Sequence, residues 1–161
     1  MKQELKNNWG EVFVQVEYWE KEQILYSNWT STYLTEEEMQ AKAYNKYDST
    51  LVKKSIMGFE EVKRGGALIL DKIKIHKTKF LLNDNRQVKG VWDETNDWIA
   101  SEWMPRIVQA GLLKFAHILS EEFFAQLSAE MMEDDSTTAG GAFEMKLFND
   151  QRMAEEWLLA G

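Results

Sequence analysis

The tetrapeptide Asn83-Asp84-Asn85-Arg86 closes the apolar run Phe80-Leu81-Leu82 and offers two amides, a carboxylate and a guanidinium in succession. Arg86 can clamp a carboxylate or phosphate through two parallel hydrogen bonds, and Asp84 can orient it. Lys89 adds positive charge three residues on. If the apolar run is a parallel strand, the tetrapeptide lies at its carboxyl end, where open α/β sheets usually place ligands. Asn and Asp also favour plain turns, because their side chains hydrogen-bond the nearby backbone. Both readings stand: a binding rim or a turn.

Other candidate groups are sparser. Asp93, Glu94 and Asp97 would hold a hard cation if they converged, but acids at a helix start also satisfy its positive end, and no metal is assigned. His76 lies in the basic stretch KIKIHKTK and is read as a solvated helix end. His117 falls within an apolar run and is expected to pack or hydrogen-bond in the core. Two histidines without a serine elbow make no triad. Gly65-Gly66 and Gly140-Gly141 fit neither a phosphate loop nor a dinucleotide fingerprint, so no cofactor is assigned. Trp92 and Trp98 stand near Arg86 in sequence and would wall a ligand or partner site if partly exposed; core packing is the competing reading.

Composition narrows the classes. The net charge of −8 opposes binding to nucleic acid and to anionic membranes, although the basic stretches could touch an acidic partner. With no cysteine, disulfides, thiol catalysis and cysteine-ligated metals are excluded. No run approaches the roughly 20 apolar residues of a transmembrane segment, and the N-terminus lacks a signal-peptide core. A cytoplasmic location is expected.

The elements that must position these residues follow from periodicity. Val12, Val14, Val16 and Tyr18 alternate with Phe13, Gln15 and Glu17, a strand that turns at Glu20-Lys21-Glu22 and returns over Ile24–Trp29. Thr35 and Glu38 form a capping box for a helix, and residues 49–57 fit helix or loop. Phe59, Val62, Gly66, Ile69, Leu70 and Ile73 mark a helical stripe, with Gly65-Gly66 suited to close packing against a sheet. A short strand at 79–82 precedes a helix from Asp93 that Pro105 should kink. A strand at 114–119, a helix capped by Ser120, a strand at 142–148 and a closing helix complete the chain. Strands separated by helices imply right-handed crossovers and a largely parallel sheet.

The stretch LLNDNRQVKGVWDETNDWIASEWMPRIVQAGLLKFAHILS, with FEMKLFNDQRMAEEWL, resembles small bacterial proteins described as STAS-like or CRAL-TRIO-like. The matching features are Asp84-Asn85-Arg86, Met104-Pro105 and Phe115-Ala116-His117, within a match running from about Phe59 to Leu159. The resemblance implies a single SpoIIAA-like α/β domain over residues 1–161: a four- to five-stranded mixed sheet that opens with a β-hairpin and carries covering helices. Most such relatives have no assigned activity. Phospho-regulated STAS domains place a serine after the equivalent strand; this chain has only Thr95 within reach, so a phosphoswitch is not implied.

The functional expectation is a non-enzymatic STAS-like binding or regulatory domain that meets a protein partner or forms a homodimer. Its surface would comprise Asn83, Asp84, Asn85, Arg86, Lys89, Trp92 and Trp98, with no catalytic residue. One alternative is a small-molecule or lipid carrier with a pocket between sheet and helices. A further one is a hydrolase using Asp84 and Arg86. The aromatic content and a hairpin edge strand favour self-association.

Overall fold

The computed structural model describes residues 2–35, 37–38, 56–90, 93–124 and 142–160. It contains a six-stranded sheet in the order β1-β2-β3-β6-β7-β8, formed by Lys2–Lys6, Val12–Trp19, Ile24–Trp29, Phe80–Asp84, Lys114–Ile118 and Glu144–Phe148. β1, β2 and β3 pair antiparallel; β3, β6, β7 and β8 pair parallel. A separate two-stranded piece joins β4 (Thr32–Tyr33) to β5 (Ile56–Met57). The helices are α1 (Phe59–His76), α2 (Asp93–Trp98), a π-helical turn (Ile99–Trp103), α3 (Met104–Gln109) and α4 (Gln151–Leu159). None of these is long and apolar enough to cross a membrane.

The expected mixed α/β sheet is present with more strands than the four to five anticipated. β1 is the addition. Its residues KQELK alternate without a buried side, so no hydrophobic period announces it. It pairs along β2, so among the described strands the edges of the sheet are β1 and β8 rather than the hairpin. The hairpin itself forms as expected. Its turn ends on Gln23 in the left-handed region (φ 58), and the Thr78 hydroxyl donates to the Gln23 carbonyl at 2.7 Å.

Strand order carries a second correction. β6, β7 and β8 are added successively on one side of β3, and right-handed crossovers carry α1 and the α2–π–α3 segment to one face. That front face holds α1 and the α2–π–α3 segment, packed on Val14, Val16, Leu25, Trp29, Leu81 and Phe115. The order does not reverse among the parallel strands where β6 ends. The carboxyl end of β6 is therefore not a topological switch point, which removes one reason for expecting a ligand there. Among the described helices α4, after the last strand, folds onto the back face, against Leu82, Ala116, Ile118 and Phe148.

α1 shows what the glycine pair is for. Glu61 reaches back to the Gly58 N–H, and Val62, Gly65, Gly66, Ile69 and Ile73 face inward. A Cβ on Gly65 would strike the Trp29 indole, and one on Gly66 would crowd Trp103 and Trp98. Each glycine weakens the helix by about 1 kcal/mol relative to alanine, offset here by seating two large rings. The disruption expected at Pro105 takes the form of the π turn before it. Met104 N–H bonds to Ile99 O, five residues back, and Pro105 follows where a donor is dispensable. That turn carries Trp103, whose Nε1 donates to Gly66 O at 2.8 Å. The Thr35–Glu38 capping contacts form, with Glu38 N–H bonded to Thr35 Oγ1 at 3.1 Å. The body of the 35–57 segment lies outside the described residues, apart from β5.

Gly65→Ala should lose roughly 1–3 kcal/mol of stability despite the better helix former, because the methyl group displaces Trp29. A urea midpoint equal to or above wild type would show that α1 is not seated on that ring.

Candidate functional site

At the carboxyl ends of β3, β6 and β7, the pleat splits Asn83-Asp84-Asn85-Arg86 between the two faces. Asn83, Asp84 and Asn85 are buried, with Asn83 the most open of the three at 7% exposure. The candidate rim therefore reduces, within the tetrapeptide, to Arg86. Burial of the other three supports scaffolding by their side chains, the turn reading of the sequence.

On the front face Asn83 is the hub. Its Oδ1 accepts from Ser27 Oγ at 2.5 Å and from Trp29 Nε1 at 2.7 Å. Its Nδ2 lies 2.9 Å from His117 Nδ1 and 3.3 Å from Asn85 Oδ1. An indole N–H only donates, so the Asn83 oxygen must face Trp29 and the amide nitrogen must face His117. His117 Nδ1 is then an acceptor, and the proton sits on Nε2. The imidazole stacks on Phe115, with centroids 5.6 Å apart. Burial holds its pKa far below the ordinary histidine value, at about 4, against a smaller upward pull from Asp84. His117 thus packs and hydrogen-bonds as its sequence context implied. His76 is exposed but not merely solvated, since it stacks on Tyr18 at 4.1 Å.

On the back face Asp84 is bound from three sides. Arg86 donates from Nε to Oδ1 at 3.0 Å and from Nη2 to Oδ2 at 2.7 Å, while its backbone N–H reaches Oδ1 at 3.1 Å. Tyr26 Oη donates to Oδ2 at 2.9 Å. Burial works to raise the Asp84 carboxyl, but the hydrogen bonds from Arg86 and Tyr26 outweigh it and hold the pKa below the usual range. Burial and the neighbouring carboxylate push the Tyr26 phenol up. Arg86 Nη2 also meets Gln151 Oε1 at 2.8 Å, tying the loop to the first turn of α4. Asp84 orients Arg86 as expected, and in doing so occupies two of its donors.

The loop beyond is tightly held. Asn85 N–H bonds Ile118 O, Val88 N–H bonds Asn85 O, and Tyr33 N–H bonds Lys89 O at 2.7 Å. Gly90 (φ 93) passes so close to the Tyr33 carbonyl that no side chain fits. Gln87 and Lys89 project to solvent from this frame. Trp92 lies outside the described residues. Trp98 is half-buried on the front face, edge-on to Phe59 at 6.3 Å and against Gly66. The Arg86 guanidinium reaches α4 on the back face, so Trp98 and Arg86 form no common wall. Glu94 accepts from Tyr33 Oη at 2.6 Å, which commits that acid to the fold. Thr95 is fully buried, so a kinase would reach it only after the segment opens.

Sequence reasoning missed Tyr26, Ser27, Trp29 and Gln151 as members of these networks. The polar run Ser27-Asn28 interrupting an apolar strand was the one available signal. Comparison of the chain with protein-family models, curated proteins and solved structures finds no match. The STAS-like resemblance therefore rests on sequence features alone.

Two outcomes follow. Unfolded His117 takes up a proton near its ordinary pKa of about 6.5 while the folded group resists to about 4, so stability falls as pH drops through that window. Asp84, depressed in the fold, adds a further loss below it. The decline across the histidine window should be of order 1–3 kcal/mol in urea titrations. His117→Gln, which keeps an acceptor for Asn83, should flatten it; an unchanged slope would reassign the effect. Arg86→Ala strips Asp84 of its charged partner and should lower the urea midpoint by the equivalent of roughly 1–3 kcal/mol. A midpoint within error of wild type would make Arg86 a free surface cation after all.

Proposed function

We propose that the chain is a non-enzymatic STAS-like, SpoIIAA-like binding domain, which meets an acidic protein surface through the loop after β6. The observation that carries this reading is the division of labour at residues 83–89. Asn83, Asp84, Asn85 and His117 are spent on internal hydrogen bonds, while Arg86, Gln87 and Lys89 stand outward on a pinned loop. A carboxylate already saturated by Arg86 and Tyr26 is a poor base or nucleophile, which argues against a hydrolase using Asp84 and Arg86. Between α1 and the sheet, Trp29, Phe13 and Trp103 fill the layer, which argues against a lipid-sized cavity there. The resemblance of residues 59–159 to STAS-like proteins is the second support. A loop fixed before contact loses little freedom on binding, as a recognition surface requires.

Lys89 is the informative position, because its side chain is exposed and its structural role runs through the backbone. Lys89→Glu should leave stability within about 0.5 kcal/mol of wild type. It should weaken association about tenfold or more, measured by affinity capture from lysate and by sedimentation for self-association. Equal capture and equal mass by wild type and variant would sink the rim reading.

A further inference from the structure

Three strands along the sheet from that rim, and independent of it, β1 presents an edge whose open backbone groups can be assigned. Thr30 N–H donates to Phe13 O at 3.1 Å, so Phe13 turns its backbone polar groups toward the β3 side. Alternation along β2 then directs the N–H and C=O of Val14 and Val16 toward β1, where their register partners are Leu5 and Gln3. Those two residues are spent on β2. Lys2 and Glu4 therefore aim their N–H and C=O away from β2, on a side where none of the described strands pairs. Lys6 would extend the row, but the register shifts between Leu5 and Lys6, and Arg64 Nη1 donates to Lys6 O at 3.2 Å. The usable edge runs from Lys2 to Leu5, and its first three residues are exposed.

We propose that this edge docks a second copy of itself, antiparallel, about a two-fold axis at Gln3. In that register Lys2 lies opposite Glu4 of the partner subunit, and Glu4 opposite Lys2 of the partner subunit. Both are residues whose open backbone groups face outward, so each pair exchanges an N–H and a C=O across the seam. The same register sets an ammonium against a carboxylate on both sides of the axis. Gln15 Nε2 donates to Glu4 Oε1 at 3.0 Å, which leaves the other carboxylate oxygen for the lysine. Gln3 meets Gln3 of the partner subunit, and an amide both donates and accepts. Centring the pairing on Glu4 instead would oppose Glu4 to itself and Lys2 to Lys6. Centring it on Leu5 would need the Lys6 carbonyl, which Arg64 already holds. The chain's charge of −8 opposes contact between copies in general, so the attraction has to be local. A lysine on an edge strand ordinarily repels a second edge; the spacing Lys-x-Glu turns that repulsion into selection of one register.

The test is sedimentation equilibrium of the full chain, joined to amide exchange. A monomer–dimer equilibrium should appear with a dissociation constant on the order of 100 μM, because one short strand makes a small interface. Lys2→Glu and Glu4→Lys should each weaken the dimer about tenfold, with thermal unfolding unchanged because both side chains are exposed. Mixing the two single variants should restore association, since each then faces the opposite charge. Combining Lys2→Glu with Glu4→Lys in one chain should restore it too, and does so in the proposed register but not in the one centred on Glu4. On raising concentration, the Lys2 and Glu4 amides should gain protection, while those of Gln3 and Leu5 are protected throughout. A chain that stays monomeric to about 1 mM overturns the proposal. So does a dimer indifferent to the single variants, one that the double reversal fails to restore, or one in which the Lys2 and Glu4 amides still exchange freely.

Discussion

One indole governs the front of the sheet. Trp29 is 4% exposed, lies in the notch left by Gly65, and donates its only proton to Asn83 at 2.7 Å. The ring fixes how closely α1 approaches the strands; the N–H fixes which way an amide points, and through it a tautomer. Packing and polarity are thus coupled in one side chain. A buried amide with a donor or acceptor left over would lose about 1–3 kcal/mol, so a network of this kind is worth having only when its inward-facing atoms are satisfied. Around Asn83 they are.

Asp84 poses the complementary problem on the back. A carboxylate at 3% exposure would ordinarily resist ionisation, yet it is held ionised by a bidentate guanidinium and a phenol. Arg86 remains partly open, its side chain 41% exposed, so one end of the pair keeps water. That arrangement avoids the full desolvation penalty of a buried ion pair. It also anchors the loop to α4 through Gln151, linking the last helix to the middle of the sheet.

These contacts explain why the fold was more legible than the site. The hairpin and the glycine-bearing α1 follow from periods of two and 3.6, and the parallel strands at β6 and β7 from short apolar runs, which a sequence displays directly. The sixth strand did not, because an edge strand whose single half-buried residue is Leu5 has no period to show. Trp29 and Asn83 stand 54 residues apart, and Arg86 and Gln151 stand 65 apart. They meet only through strand register and the path of α4, neither of which is written locally. One point was accessible in advance: successive side chains at a strand end face opposite ways, so four consecutive polar residues cannot make one cluster. The turn and the site had been weighed as alternatives when the pleat divides them.

What that division leaves outside determines what the molecule can do. Polar groups at strand ends serve the fold when they meet one another and serve recognition when they do not. After Asn83, Asp84 and Tyr26 are accounted for, the side chains left outward from the loop are those of Arg86, Gln87 and Lys89. These are held in place because the loop from Asn85 to Gly90 is stitched to β4 and β7 by backbone hydrogen bonds, with Gly90 pressed on the Tyr33 carbonyl. A lid or hinge needs a segment that opens at little cost, and this one would have to surrender several buried hydrogen bonds to move. Recognition without rearrangement is the chemistry such a frame suits.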